Sequence, residues 1–146
     1  MEEAEWDAVL GLNLKAGAFL TQAFARALAG KPGSVVNLSS SAVRGDARGV
    51  HYSSSKNGII GLTRATALAL APLGIRVNAI APGMTDTAQP RYGNSEAEIL
   101  ERAKTFPLGR IGQPAEIADL AVFLASNKAS FVTGQVWHIN GGMYLA

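Results

Sequence analysis

A tyrosine and a lysine four residues apart are the part of this sequence most able to do chemistry. Tyr52 and Lys56 lie in the segment Tyr-Ser-Ser-Ser-Lys. On a helix, this spacing places both side chains on one face. A lysine ammonium beside a phenol favours the phenolate, so Tyr52 can act as a general acid or base toward a carbonyl or hydroxyl oxygen.

A serine-rich segment upstream offers a hydroxyl to the same oxygen. Ser39, Ser40 and Ser41 follow a short apolar run that is typical of a buried strand. A serine hydroxyl opposite the tyrosine can hold a substrate oxygen while that oxygen gains or loses charge. The residue types alone also fit a structural interpretation, in which Tyr52 covers a core and Lys56 is solvated.

The elements that must position these residues alternate between helix and strand. Hydrophobic periodicity, capping and turn residues predict helices over residues 3–28, 52–71, 95–104 and 114–125, and strands over 34–38, 75–81 and 135–139. The polar, turn-rich segment 84–94 is predicted to be a mobile lid. Helices between strands favour parallel pairing, so we expect one α/β domain over residues 1–146, with three layers and a small parallel sheet of about three strands.

Composition excludes several classes of protein. The chain has 146 residues, 48% of them hydrophobic, and a net charge of +2 without a basic cluster, which argues against nucleic-acid binding. It has no cysteine, and its two histidines, His51 and His138, lack ligand spacing, so no metal site is predicted. The acidic start is unlike a signal peptide, and no apolar run approaches the roughly 20 residues of a membrane span. These features predict a cytoplasmic protein that does not bind membranes.

Segments spread over the whole chain form a far more specific pattern than Tyr52 and Lys56 alone. They are Trp6-Asp7-Ala8-Val9-Leu10-Gly11-Leu12-Asn13-Leu14, Asn37-Leu38-Ser39-Ser40, Tyr52-Ser53-Ser54-Ser55-Lys56, Arg76-Val77-Asn78-Ala79-Ile80-Ala81-Pro82-Gly83, Gly109-Arg110-Ile111-Gly112-Gln113-Pro114-Ala115-Glu116-Ile117, Thr133-Gly134-Gln135 and Asn140-Gly141-Gly142. Together they resemble the carboxyl-terminal, catalytic half of the short-chain dehydrogenase/reductase family, in particular its 3-oxoacyl-acyl-carrier-protein reductase type. The resemblance implies a partial Rossmann-like fold.

The resemblance also implies a reaction and a role for each site residue. Tyr52 would protonate a carbonyl oxygen while a hydride arrives from a nicotinamide, and Ser40 would bind that oxygen. Lys56 would hold the cofactor ribose and favour the tyrosinate, and Asn13 would support a proton-relay water. The implied cofactor is NAD or NADP, and the implied substrate is a small carbonyl compound or alcohol. The implied cofactor-binding residues are Tyr52, Lys56, Pro82, Gly83, Thr85 and Thr87.

The position of the active-site serine departs from the family pattern. The family's serine usually stands thirteen residues before the tyrosine, and that position is Ser39 here. Counting forward along the strand instead selects Ser40. Side chains alternate between the two faces of a strand, so strand phase decides which one faces the cleft, and we prefer Ser40.

The second departure is the absence of the family's glycine-rich, phosphate-binding half. We therefore expect impaired NAD(P) binding by the chain alone. Two alternatives stay open: a cofactor-independent serine hydrolase, in which Ser40 is acylated with Tyr52 as the base, and a non-catalytic remnant. A homo-oligomer is also predicted, because the missing neighbour would leave a sheet edge and apolar helix faces uncovered.

Overall fold

A three-stranded parallel sheet with helices on both faces organises the chain. The computed structural model describes residues 1–145. The main elements are α1 (Glu3–Leu10), a π-helical segment (Gly11–Lys15), α2 (Ala16–Ala27), β1 (Gly33–Leu38), α3 (Val50–Leu70), β2 (Ile75–Pro82), α4 (Glu96–Lys104), α5 (Pro114–Ala125) and β3 (Val136–Ile139). The α/β class and the three parallel strands confirm the fold that the sequence predicts.

Strand register brings the candidate site residues to one edge of the sheet. The strand order is β1-β2-β3, and both pairings are parallel. Leu38, at the end of β1, pairs with Ile80, and Pro82, at the end of β2, pairs with Ile139. Carboxyl ends of parallel strands meet at the same edge, where α/β proteins bind their ligands. The loops that carry the serines and the Pro-Gly turn therefore start side by side.

Two apolar clusters, one on each face of the sheet, hold the three layers together. The first joins Val35 of β1 and Val77 of β2 to Ala67 of α3. The second joins Ile80 of β2 to Leu124 of α5. Because successive side chains of a strand point to opposite faces, β1 and β2 contribute to both clusters. The central strand β2 is thus covered on both faces, as a parallel sheet requires.

The first helix differs from the sequence-based prediction of one regular helix over residues 3–28. The backbone stays helical from Glu3 to Ala27 but changes to π-helical pairing over Gly11–Lys15. A π-helical turn holds one extra residue, which shifts the faces of the helix on either side of it. Apolar periodicity did not reveal this change, because the stripe continues on both sides of the segment.

The same helical stretch is long and apolar. Glu3–Ala27 has 25 residues, with a mean hydropathy of 1.2 over its most apolar 18, and only 6% of that window is buried. By length and composition it could cross a membrane, a property that the sequence-based search for an uninterrupted apolar run did not reveal. A helix that packs against protein along one face meets the same criterion, which makes the criterion weak on its own.

Candidate active site

The two candidate serines at the end of β1 have different surroundings. Ser39 is only 4% exposed, and its hydroxyl donates to the backbone carbonyl of Lys56 at 2.8 Å. Ser40 is half-buried, and its hydroxyl accepts a hydrogen bond from the backbone N–H of Ala42 at 3.1 Å. The Ser39 hydroxyl therefore ties β1 to α3. The Ser40 hydroxyl keeps its own hydrogen for another acceptor.

Tyr52 and Lys56 lie in the first two turns of α3, directly beside the end of β1. The Lys56 Nζ lies 5.5 Å from the centroid of the Tyr52 ring and donates to the backbone carbonyl of Leu38 at 2.9 Å. Partial burial lowers the pKa of the Lys56 ammonium below its usual value, because desolvation disfavours the charged form. The lysine is thus held by the strand end, near the ring that it is predicted to assist.

Asn13 reaches this helix through a short chain of hydrogen bonds. Its Nδ2 donates to the Ser55 hydroxyl at 3.0 Å, and that hydroxyl donates to the backbone carbonyl of Tyr52 at 2.7 Å. A close contact supports this arrangement, because a Cβ at Gly58 would lie 2.6 Å from Leu14 Cδ2. Asn13 lines neither of the cavities described below. The structure therefore connects it to the backbone of Tyr52 and not to the open cleft.

A cavity of about 490 Å³ opens beside Lys56 and is called here the lysine-side cavity. Its size lies in the range typical of small-molecule sites. Its lining includes all of the predicted cofactor-binding residues and an apolar wall from α5. The complete set of lining residues is Leu38, Ser39, Ser40, Tyr52, Lys56, Pro82, Gly83, Thr85, Thr87, Gln89, Pro114, Ile117, Ala118 and Ala121.

A second cavity of about 380 Å³, called here the arginine-side cavity, lies on the other part of the cleft. Its charged lining residues are Arg44, Asp46, Arg48 and Arg102. The two cavities share four lining residues, Ser40, Tyr52, Gly83 and Gln89. The predicted oxygen-binding serine and the predicted proton donor therefore stand where the two cavities meet.

The turn after β2 is fixed by close packing and backbone pairing. A Cβ at Gly83 would lie 2.7 Å from the Cα of Asn140, so only glycine fits the approach of β2 to the end of β3. Thr85 forms an isolated parallel bridge with Gly112, and the Thr85 hydroxyl donates to the Gly83 carbonyl at 3.1 Å. These contacts place the backbone of Thr85 firmly at the rim of the lysine-side cavity.

The segment 84–94, predicted to be a lid, is anchored by Arg91. Its guanidinium forms ion pairs with Asp86, at 2.9 Å, and with Glu96 at the start of α4, and it donates to the Thr87 carbonyl at 2.6 Å. The segment lines both cavities. Its proposed mobility stays a prediction.

Several lining residues were not singled out from the sequence. Ala118 and Ala121 fall within the predicted helix 114–125 without a functional signal, and Gln89 falls within the polar segment 84–94. The three arginines carry no local signal, because two come from the connection between β1 and α3 and the third comes from α4. The family pattern identifies the two serines, Tyr52, Lys56 and the other predicted cofactor-binding residues of the lining.

The surroundings of Ser40 give little support to nucleophilic catalysis. A nucleophilic serine needs a base within hydrogen-bonding reach. Within residues 1–145, the one hydrogen bond of the Ser40 hydroxyl is with the Ala42 backbone. The same part of the chain contains no group of three His, Cys, Asp or Glu side chains able to hold a metal ion.

Comparison with known proteins agrees with this geometry. A sequence model of the family described as Enoyl-(Acyl carrier protein) reductase matches residues 1–144. The 3-oxoacyl-acyl-carrier-protein reductase FabG of Staphylococcus aureus (strain Mu50) is 43% identical over 155 residues, which cover 99% of this chain and 59% of the relative.

Solved structures give the same result. A 3-oxoacyl-acyl-carrier-protein reductase from Brucella melitensis superimposes with a TM-score of 0.92 at 38% identity, over 100% of this chain and 55% of the other. A reductase of the same type and organism, with bound NAD, gives a TM-score of 0.87 at 38% identity, over 100% of this chain and 54% of the other.

This chain thus spans little more than half the length of the proteins it matches. The match nevertheless runs through every main helix and strand and through both cavities. The chain belongs to the short-chain dehydrogenase/reductase family.

Proposed function

We propose that this chain carries the carbonyl-binding and proton-transfer part of an NAD(P)-dependent oxidoreductase that interconverts carbonyl and hydroxyl groups. The observation that carries the proposal is the position of Ser40 and Tyr52 between two cavities, one of which also holds Lys56. A reacting carbon placed there can meet a hydride donor from one cavity while its oxygen meets the two hydroxyls.

The lysine-side cavity fits the nicotinamide end of the cofactor. It combines an apolar wall, suited to a flat ring, with Lys56, Thr85 and Thr87, whose side chains can bond ribose hydroxyls or an amide. The phosphates have no comparable place among residues 1–145, since no strand leads through a glycine-rich turn into a helix there. When bound, the cofactor would supply the hydride.

The chain's own residues would handle the oxygen and its proton. Ser40 donates a hydrogen bond to the substrate oxygen, and Tyr52 transfers its phenolic proton to that oxygen as negative charge develops on it. The Lys56 ammonium, close to the Tyr52 ring, stabilises the tyrosinate left behind. For alcohol oxidation, the same proton moves in the opposite direction.

Asn13 would act on Tyr52 through the backbone of α3. Its amide is linked through Ser55 to the backbone of Tyr52, so it positions the first turns of α3. We propose that it also supports the water that returns a proton to the site, as the family pattern implies.

Association with other copies is the second part of the proposal. Leu12, Phe19 and Leu20 on the first helical stretch, and Leu68 on α3, are large apolar side chains that stand 60% to 80% exposed. Exposed apolar side chains of this size favour contact with protein. We propose a cytoplasmic homo-oligomer that reduces a small carbonyl compound or oxidises the matching alcohol, with no nucleic-acid or membrane partner.

A fusion protein tests the proposed reaction. The part of the Staphylococcus aureus relative that lies outside the match is joined ahead of Met1, and oxidation of NADH and NADPH is followed with small ketones and 3-oxo thioesters. The fusion should reduce at least one carbonyl, and Tyr52→Phe should lower kcat by about 10²–10⁴-fold. A folded fusion that binds the cofactor but has equal turnover with Tyr52 and Phe would refute the proposal.

A further inference from the structure

The arginine-side cavity has an excess of positive charge beside the proposed reaction centre. Arg44, Arg48 and Arg102 face one acidic lining residue, Asp46, which leaves an excess of two positive charges. The cavity is about 380 Å³, large enough for a small organic molecule. An uncharged carbonyl compound has no negative charge to pair with these arginines.

These arginines come together only through the fold. Arg48 lies in the loop before α3, whereas Arg102 is half-buried on α4. They are 54 positions apart in the sequence, and each reaches the same cavity. Convergence of a few polar groups on one cavity is typical of a small-molecule binding site.

The acidic residue of the cavity does not neutralise the arginines. Within residues 1–145, none of the three guanidinium groups forms an ion pair. The Asp46 carboxylate instead accepts from the backbone N–H of Arg48 at 3.0 Å. Arg44 donates to the Met143 carbonyl at 3.2 Å. Arg48 and Arg102 thus have their fork of N–H donors available to a ligand.

We infer that the substrate is an acidic carbonyl compound, whose carboxylate is bound by Arg48 and Arg102 while its carbonyl oxygen meets Ser40 and Tyr52. This inference rests on the proposed function, because it uses that function's reaction centre to fix the other end of the molecule. Guanidinium and carboxylate groups form paired, charge-assisted hydrogen bonds, which give orientation as well as affinity. The arginines would thereby act as specificity-determining residues.

Binding of a keto acid to the purified chain, followed by NMR, tests the inference. The probes are levulinate, its uncharged methyl ester and inorganic phosphate, and the signals are the backbone amides of Ser40, Arg48 and Tyr52. Levulinate should cause saturable shifts with a Kd at least ~10-fold lower than that of the ester. Arg48→Gln and Arg102→Gln should each raise the levulinate Kd toward the ester value. Arg26→Gln, on the distant helix α2, is the matched control and should leave it unchanged.

Three results would overturn the inference. The first is equal affinity for levulinate and its ester. The second is tighter binding of phosphate than of levulinate, which would assign the cavity to a phosphate group. The third is a loss of levulinate affinity in Arg26→Gln equal to that in the two cavity variants. The fusion assay separates this inference from the proposed function. An active fusion without carboxylate preference removes the inference alone, whereas an inactive fusion with arginine-dependent levulinate binding removes the proposed reaction and leaves only a carboxylate-binding site.

Discussion

Strands β1 and β2 are neighbours of similar composition, yet they lie in very different environments. Six of the eight residues of β2 are buried, whereas no residue of β1 is fully buried and Leu38, at its end, is 54% exposed. Both strands have helices on their faces. The difference arises at the edge, because β2 has a strand on each side and β1 has one only on the β2 side.

This contrast shows that the fold is complete around β2 and open beyond β1. The candidate site lies at the carboxyl ends of both strands, and thus at the boundary between the two regions. The residues proposed to bind the oxygen and move its proton come from the loop after β1 and from the start of α3. A cofactor phosphate site would have to lie beyond the open edge, where parallel α/β sheets continue with further strands.

The two serines at the end of β1 are predicted to give the largest difference between two substitutions. In the active fusion, Ser40→Ala should lower kcat by about 10²–10³-fold, because it removes a donor to the developing charge. Ser39→Ala should act mainly on stability, through loss of the hydrogen bond to α3. Steady-state kinetics beside urea unfolding separates the two effects. A larger kinetic loss for Ser39→Ala would assign the active serine to the other face of the strand.

The exposed helix faces are predicted to mediate self-association. Leu20→Glu would place a charge in an interface and should weaken that association by at least ~100-fold, since burying an unpaired carboxylate is costly. Sedimentation equilibrium at micromolar concentration measures the change. Leu100→Glu on α4, at a similarly exposed leucine, is the control and should leave the oligomer intact. A monomeric wild-type chain with a cooperative melt would show that these faces need no partner.

Matched valine substitutions sharpen the contrast between the strands. Val35 and Val77 are direct partners in the register, but Val77 is fully buried and Val35 only half-buried. Val77→Ala should lower the free energy of unfolding by about 2–3 kcal/mol, and Val35→Ala by about 1 kcal/mol. The loss of stability grows with the apolar surface that was buried and with the cavity that is left behind. Urea unfolding gives both values. Equal losses would indicate that the edge of β1 is covered in solution.

The smallest predicted effect lies at the start of α5, away from the open edge of β1. The Arg110 guanidinium, helped by the Gln113 backbone N–H, lowers the pKa of Glu116 from 4.5 to about 2. A carboxyl group with a lowered pKa stabilises the fold at pH values above its usual pKa. It loses that contribution as the pH falls toward about 2. Glu116→Gln should therefore lower the Tm by no more than a few degrees at pH 6, and by less near pH 2. A constant difference across this range would argue against the ion pair.

Much of the fold follows from local sequence signals. Val35 and Val36, Ile75 to Ala81 and the capping sequences predicted strands and helices close to their observed limits. The π-helical segment around Asn13 could not be predicted, because no residue type marks it. The choice between Ser39 and Ser40 depended on strand phase. The convergence of Arg48 and Arg102 is a tertiary property, with no trace in local spacing.

Calorimetric titration of NADH and NADPH into the purified chain shows whether residues 1–145 hold the cofactor without a phosphate-binding half. The nicotinamide end is proposed to lie in the lysine-side cavity, and the phosphates have no proposed site within residues 1–145. We therefore expect no saturable heat at cofactor concentrations up to ~1 mM for the chain alone, and micromolar binding by the fusion. A micromolar Kd for the unfused chain would contradict the account, because it would require a phosphate site that β1, β2 and their helices do not provide.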